Sequence, residues 1–222
     1  MGETIRLTAS DGHELAAYRA DPSGAPRGAI VVIQEIFGVN EHIRAVADGF
    51  AADGYTAVAP ALFDRVERGV ELGYDEEGRN RGRSIRANIA WDDAVRDIAA
   101  AVAAAPGPKV GVVGYCWGGS LAWLAATRLD GLAAAVCYYG GQIADFKDES
   151  PRCPVLLHFG SADQSIPMSD VEAIRTAHPD LPIHVYEGAG HGFNCDMRGS
   201  YDRDAATLAR QRTMAMLAET VG

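Results

Sequence analysis

The stretch Gly111-Val112-Val113-Gly114-Tyr115-Cys116-Trp117-Gly118-Gly119 decides how this chain folds. The β-branched run from Lys109 to Val113 predicts a short strand, and the apolar spacing from Ser120 to Ala126 predicts a helix. Gly114 to Gly118 therefore forms a sharp strand-to-helix turn, in which the glycines on either side of Cys116 relieve crowding. Such a turn is typical of a nucleophile elbow, which holds its central side chain over the sheet at strained dihedral angles. The alternative is a glycine-rich turn with a small thiol in the core.

Length, composition and charge favour one domain spanning residues 1–222 and argue against some partners. A chain of 222 residues, 48% of them hydrophobic, is long enough to bury one large core. Its formal net charge of −10 argues against a nucleic acid or an anionic membrane, because both repel an acidic surface. The N-terminal residues lack the apolar segment of a signal peptide and the apolar runs are shorter than a membrane span, so a cytoplasmic location is expected. The oligomeric state stays open, with a monomer slightly favoured.

Predicted strands and helices alternate along the chain. Residues 5–9 and 14–20 flank an Asp-Gly turn and predict a hairpin at a sheet edge. Further strands, several of them continuous apolar runs, are predicted at 28–34, 55–60, 109–113, 132–139, 154–160 and 182–186. Helices are predicted at 41–52, 91–102, 120–126, 170–178 and 205–221. The alternation, without internal repeats, predicts an α/β fold with one doubly wound, mostly parallel sheet flanked by helices.

Residues 61–86 depart from this alternation. Glycines and charged residues dominate the segment, and most of it is expected to be a solvent-exposed excursion. It carries the arginines Arg65, Arg68, Arg79, Arg81, Arg83 and Arg86.

Two residues downstream of the elbow complete a catalytic pattern. A thiol attacks an acyl carbon well only as a thiolate, so it needs a base and a group that orients the base. Asp163 follows one late predicted strand, and His191 follows the next between two glycines. The order nucleophile, acid, histidine is that of α/β-hydrolases. The sequence therefore predicts a triad of Cys116, His191 and Asp163, although His191 taken alone would fit a loop histidine without a role.

Glu35 stands at the end of a predicted buried strand, where a charged residue is unusual. Open α/β sheets place their sites at the carboxyl ends of strands, which favours a functional carboxylate. The alternative is a carboxylate that accepts hydrogen bonds from loop amides at a helix N-terminus.

Together these motifs resemble the dienelactone hydrolase family, the cysteine-dependent branch of the α/β-hydrolases. The resemblance runs nearly end to end and rests on Gln34–Asn40, Gly114–Gly119, the Asp163 turn and Gly190–Phe193. It implies hydrolysis of dienelactone to maleylacetate in the breakdown of aromatic compounds, without a metal or an organic cofactor. It also implies the same triad of Cys116, His191 and Asp163.

The resemblance implies roles for further groups around the elbow. In the family the resting thiol bonds to a glutamate that matches Glu35, and substrate shifts this contact and frees the thiolate toward His191. The oxyanion hole is expected to consist of the backbone N–H groups of Trp117 and Ile36.

Substrate anchoring is where the match to the family is incomplete. Family members hold the substrate carboxylate with two arginines, one of which matches Arg79, with Arg81 close by. At the position of the second, just after the catalytic histidine, this chain has Cys195, and the nearest arginine is Arg198. A solvent-exposed surface arginine is the alternative for each.

The sequence thus predicts a hydrolase of small anionic lactones or enol esters that works through an acyl-thioester. One alternative is a broad-specificity carboxylesterase, and another is a non-catalytic ligand-binding protein on a hydrolase scaffold. Neither a CxxC pair nor zinc-finger spacing occurs among the cysteines, so neither a metal site nor a disulfide is expected. Cys137, Cys153 and Cys195 are interpreted as residues without a catalytic role.

Overall fold

The computed structural model describes residues 2–222, and its strands form one eight-stranded mixed sheet. The strands are β1 (Glu3–Thr8), β2 (Glu14–Ala20), β3 (Ala29–Ile33), β4 (Thr56–Pro60), β5 (Val110–Tyr115), β6 (Ala134–Tyr138), β7 (Val155–Gly160) and β8 (Ile183–Tyr186). They lie in the order β1-β2-β4-β3-β5-β6-β7-β8. Each matches a predicted strand, with ends that differ by one or two residues.

Parallel pairing dominates the sheet. β1 pairs antiparallel with β2, and β2 antiparallel with β4, whereas the neighbours from β4 through β8 all pair parallel. The central strands β3, β5 and β6 bury every residue, which explains their continuous apolar sequences. The predicted edge hairpin and the predicted α/β fold with a mostly parallel sheet are confirmed.

Within residues 2–222, six α-helices connect the strands and flank the sheet. They are α1 (Glu41–Ala52), α2 (Glu76–Arg86), α3 (Trp91–Ala104), α4 (Trp117–Arg128), α5 (Met168–Ala177) and α6 (Arg203–Thr220). Helix α1 has the predicted bounds, and the Asn40 side chain caps it by accepting a hydrogen bond from the Ile43 N–H at 3.2 Å. In the described part of the chain, none of the helices combines the length and the apolar character that a membrane crossing requires.

Most residues of α2 are exposed, as expected for the segment 61–86, but the helix itself and its buried face were not predicted. The buried residues of the helix are Gly78, Gly82 and Ile85. A Cβ on Gly82 would collide with the carbonyl oxygen of Ile36, so the two backbones are in direct contact there. Because glycines instead of large apolar side chains form most of this buried face, the sequence shows no apolar stripe from which the helix could be predicted.

The topology places four predicted site residues at one edge of the sheet. Glu35 follows β3, Cys116 directly follows β5, Asp163 follows β7, and His191 follows β8. Because these strands are parallel, their carboxyl ends lie on the same side, where open α/β sheets form their binding sites.

Candidate active site

Cys116 occupies a strained turn between β5 and α4. Its φ of 55° lies in the left-handed region, which residues other than glycine rarely adopt. A Cβ on Gly114 would collide with the carbonyl oxygen of Gly118, and a Cβ on Gly118 with that of Ile33. Close packing of the backbone therefore requires both glycines. The structure has the sharp strand-to-helix turn that the sequence predicts, and the thiol at its apex is partly exposed.

His191 lies between Cys116 and Asp163. Its Nε2 is 3.1 Å from the sulfur of Cys116, and its Nδ1 is 2.7 Å from Oδ2 of Asp163. The backbone N–H of Ser165 donates to the other oxygen of Asp163 at 2.8 Å, and the Ser200 hydroxyl donates to the His191 carbonyl at 2.7 Å. These contacts orient both the carboxylate and the imidazole. The structure thus brings the three residues of the predicted triad within hydrogen-bond distance in the predicted order.

The surroundings of His191 favour its protonated form. Burial alone lowers the pKa of His191, but negative charge at Cys116 and the hydrogen bond and charge of Asp163 outweigh burial and raise that pKa above its ordinary value. An imidazolium beside a thiolate is the pair that activates a cysteine as a nucleophile. The arrangement can therefore hold a proton next to a reacting sulfur and transfer it.

Both oxygens of Glu35 accept hydrogen bonds from side chains. The Tyr74 hydroxyl donates to Oε2 at 3.0 Å, and Nη1 of Arg198 donates to Oε1 at 3.1 Å. Burial lowers the pKa of Arg198, but negative charge at Glu35, together with smaller contributions from other groups around the site, outweighs burial and raises that pKa. The partners of Glu35 are thus not loop amides. The resemblance implies that Cys116 contacts Glu35 in the resting enzyme. In this structure the Cys116 thiol contacts His191 instead.

The two residues that carry the expected oxyanion donors line the cavity that contains the thiol. Trp117 is the first residue of α4, where an N–H group has no partner within the helix. Among the backbone hydrogen bonds of residues 2–222 outside helices and strands, neither the Trp117 N–H nor the Ile36 N–H is a donor. Both residues line the same cavity as Cys116. Two free N–H groups near a nucleophile can stabilise a developing oxyanion.

The cavity at Cys116 has a volume of about 310 Å³. It adjoins a wider cleft of about 900 Å³, and Arg79, Ser165, His191 and Arg198 line both. The smaller cavity is of a size that suits a small organic ligand. Its lining within the described residues contains arginines but no carboxylate side chain.

Two arginines of the cavity were not predicted from the sequence to belong to the site. Arg79 and Arg198, the expected anchors, both line it, and so do Arg83 and Arg86. Arg81 instead forms an ion pair with Glu67 outside the cavity. The spacing of Arg79, Arg83 and Arg86, at four and then three residues, would have placed them on one face if the segment had been interpreted as a helix.

One cluster behind the site contains potential metal ligands. One ligand atom each of Glu35, His42 and Cys195 lies within 4.8 Å of the others, although the sequence spacing indicated no metal site. Arg198 donates to Glu35 in this cluster, and its positive charge opposes a cation at the same place. Burial raises the pKa of Cys195 to about 11, which disfavours the thiolate that a metal requires.

Comparison with known proteins shows which relatives this chain has. The model of the dienelactone hydrolase family matches residues 15–221. A carboxymethylenebutenolidase from Pseudomonas putida is 35% identical over 229 residues, covering 98% of this chain and 97% of the relative. A protein of Synechocystis sp., provisionally given the same name, is 36% identical over 220 residues, covering 90% and 89%.

A solved structure supports the same assignment. A crystal structure from Klebsiella pneumoniae, provisionally named a dienelactone hydrolase, superposes with a TM-score of 0.84 at 31% identity and covers 98% of this chain and 99% of that one. An esterase from Pyrococcus furiosus shares the fold with a TM-score of 0.72 at 15% identity. The fold, the strand-end site and these relatives together lead to one conclusion: the chain belongs to the dienelactone hydrolase family and is a hydrolase with the α/β-hydrolase fold.

Proposed function

We propose that this protein hydrolyses small anionic lactones or enol esters, of the type of dienelactone giving maleylacetate, with Cys116 as the nucleophile. The observation that supports this most is the line of contacts from the Cys116 sulfur through His191 to Asp163, at 3.1 and 2.7 Å, inside a cavity lined by arginines. A thiol, a base and an orienting acid in this order are what acyl transfer requires.

In the first half-reaction, the Cys116 sulfur adds to the carbonyl carbon of the substrate. The carbonyl π electrons move to oxygen, and the oxyanion accepts hydrogen bonds from the Trp117 and Ile36 N–H groups. When the tetrahedral adduct collapses, the bond from carbon to the leaving oxygen breaks. That oxygen takes the proton held on Nε2 of His191, and an acyl-thioester remains.

In the second half-reaction, His191 accepts a proton from water as the water oxygen attacks the thioester carbonyl. The carbon–sulfur bond then breaks, the carboxylic acid leaves, and the proton on His191 again faces the Cys116 thiolate. Asp163 keeps the imidazole in one orientation throughout, because its Oδ2 lies 2.7 Å from Nδ1.

Two arginines are proposed to bind the substrate carboxylate. Arg79 lines the cavity from helix α2, and Arg198 lines it from the segment after β8. A guanidinium group matches a carboxylate with two parallel N–H donors, which gives orientation as well as affinity. Arg198 also donates to Glu35, so this carboxylate positions Arg198 and offsets part of its charge.

The test is turnover of cis- and trans-dienelactone compared with a neutral p-nitrophenyl ester, for the wild-type protein and for Cys116→Ala. We expect the lactones to be preferred and Cys116→Ala to lose activity on every substrate. A similar kcat/KM for the neutral ester would instead favour a broad-specificity carboxylesterase. No turnover of any ester by a protein that binds the carboxylate products would favour a non-catalytic ligand-binding protein.

A further inference from the structure

Helix α2 presents a row of three arginines to the cavity at Cys116. Arg79, Arg83 and Arg86 line this cavity together with the thiol. At a rise of 1.5 Å per residue, the first and the last of them start about 10 Å apart along the helix axis. A single carboxylate, whose two oxygens are much closer together than that, does not need a row of this length.

In the described part of the chain, these three arginines have no acidic partner within ion-pair distance. Within residues 2–222, none of them forms an ion pair, whereas Arg81 on the same helix pairs with Glu67 and Arg198 pairs with Glu35. In a protein with a net charge of −10, three cations without an ion pair lie on the wall of the cavity that contains the Cys116 thiol. Like charges four residues apart on a helix repel each other, and a bound anion would relieve this repulsion.

Arg86 is held in place beside the thiol. Its guanidinium carbon lies 4.6 Å from the ring centroid of Trp91, so the aromatic face supports the cation without supplying a negative charge. Burial lowers the pKa of Arg86, and negative charge at Cys116 opposes this effect. A half-buried, pre-oriented guanidinium with free N–H donors is suited to bind an anionic group of a ligand at the reacting atom.

We infer that Arg83 and Arg86 form a second anion-binding subsite, and that the substrate is a dianionic ester or lactone. This inference rests on the proposed function. One carboxylate binds to Arg79 and Arg198, and a second carboxylate of the acyl part binds to Arg83 and Arg86. The cavity of about 310 Å³ suits a small acyl part that carries two carboxylates besides the ester carbonyl.

Arg83 and Arg86 could also be present because they stabilise helix α2, and the test has to distinguish this role from ligand binding. Arg83 and Arg86 lie in the last turn of α2, where positive charge interacts favourably with the helix dipole. Replacing them by lysine keeps this charge but removes the two parallel donors of a guanidinium. Arg81→Gln is the matched control, since Arg81 lies on the same helix but outside the cavity.

The experiment uses p-nitrophenyl esters whose acyl parts differ in charge: neutral butyrate, monoanionic glutarate and dianionic tricarballylate. For the wild-type protein we expect kcat/KM to rise with each added carboxylate. In Arg83→Gln/Arg86→Gln, kcat/KM for the dianionic ester should fall roughly ten- to a hundredfold more than kcat/KM for the neutral ester. The double lysine variant should keep only part of the preference, and Arg81→Gln should keep all of it.

Two outcomes would overturn the inference: no preference of the wild type for the dianionic ester, or an equal loss for all three esters in Arg83→Gln/Arg86→Gln. Failure of the proposed function is a separate result, because it would appear as turnover that survives Cys116→Ala. Calorimetry on Cys116→Ala provides a readout without catalysis. Free glutarate, which carries two carboxylates, should bind more tightly than free butyrate, which carries one, and the double glutamine substitution should remove this difference.

Discussion

Nη1 of Arg198 lies 3.1 Å from Oε1 of Glu35, and this ion pair joins the segment between β8 and α6 to the end of β3. The family pattern would place an arginine at the position of Cys195, three residues earlier. The chain instead brings a guanidinium into the cavity from Arg198. The side chain of Glu35 is fully buried and that of Arg198 is 17% exposed, so each neutralises a charge that water cannot solvate well.

We expect Arg198→Ala to destabilise the fold. Loss of one partner leaves the Glu35 carboxylate buried without a counter-charge, which lowers the free energy of unfolding by on the order of 3 kcal/mol. Urea denaturation measures the change. Arg175→Ala is the control, because Arg175 pairs with Glu172 on the surface, and exposed pairs contribute about 1 kcal/mol or less. Equal effects of the two substitutions would show that the buried pair contributes little to stability.

Cys116→Ala should abolish turnover and leave the fold intact, whereas Cys137→Ala, Cys153→Ala and Cys195→Ala should remain active. Near wild-type kcat/KM in Cys116→Ala would refute the proposed mechanism. Cys116→Gly should also lose activity. Its free energy of unfolding should exceed that of Cys116→Ala by about 1 kcal/mol, because glycine adopts a φ of 55° without strain. Circular dichroism and thermal unfolding check the fold of each variant.

Iodoacetamide should alkylate Cys116 before the other thiols. Burial raises the pKa of Cys153 and of Cys195 to about 11 and raises the pKa of Cys137 well above its ordinary value, so these thiols stay protonated near neutral pH. Peptide mass spectrometry at partial inactivation identifies the modified residue. Loss of activity that tracks alkylation of Cys195 instead would contradict the assignment.

The protonation of His191 should depend on Cys116. Burial alone lowers the pKa of His191, while negative charge at Cys116 is the largest effect that raises it, so Cys116→Ala should shift its titration to lower pH. Titration by NMR measures this directly. Because the pKa of His191 is higher in the folded protein than in the unfolded chain, protonation of His191 stabilises the fold. This stabilisation is complete below the unfolded-state pKa of about 6.5 and is lost as the pH rises through the folded-state pKa. The difference in unfolding free energy between the wild type and His191→Gln should therefore shrink at alkaline pH.

Arg79→Ala should slow dienelactone hydrolysis but not hydrolysis of a neutral ester. A charge-assisted contact to a carboxylate contributes about 1.5–3 kcal/mol, so kcat/KM for the anionic substrate should fall roughly ten- to a hundredfold. Steady-state kinetics on both substrates provides the comparison. An equal loss on the neutral ester would mean that Arg79 acts structurally, and the broad-esterase alternative would gain support.

A chelator should leave the rate unchanged. The proposed mechanism draws its nucleophile from Cys116, and Arg198 opposes a cation at the cluster of Glu35, His42 and Cys195. Activity after dialysis against EDTA, with and without added Zn²⁺, tests this. A loss in EDTA that Zn²⁺ restores would show that the cluster holds a metal that turnover requires.

The sequence predicts where a site residue lies in the fold when a local pattern fixes the backbone around that residue. The Gly-x-Cys-x-Gly turn, the strand-end Asp163 and the glycine-flanked His191 each signal their position, because backbone crowding and parallel topology dictate it. Helix α2 carries no such signal, since Gly78 and Gly82 form its buried face in place of large apolar side chains. For that reason Arg83 and Arg86 could not be assigned to the cavity.

The partners of Glu35 are unpredictable for a different reason. Tyr74 lies 39 positions away and Arg198 lies 163 positions away along the chain. Contacts over such separations depend on how the loops pack against the folded sheet, and no periodic pattern in the sequence predicts them. A hydrogen bond from Tyr74 to a buried carboxylate becomes visible only in three dimensions.

The contact between Gly82 and the Ile36 carbonyl links substrate choice to reaction rate. The helix that carries the arginine row and the loop that carries the proposed oxyanion donor touch through their backbones at Gly82 and Ile36. Exchanging side chains at 83 and 86 can therefore retune which acids the enzyme accepts while Ile36 stays in place. We therefore expect Gly82→Ala to displace the Ile36 backbone and, because Ile36 is the proposed donor, to lower kcat for anionic and neutral esters alike in steady-state kinetics.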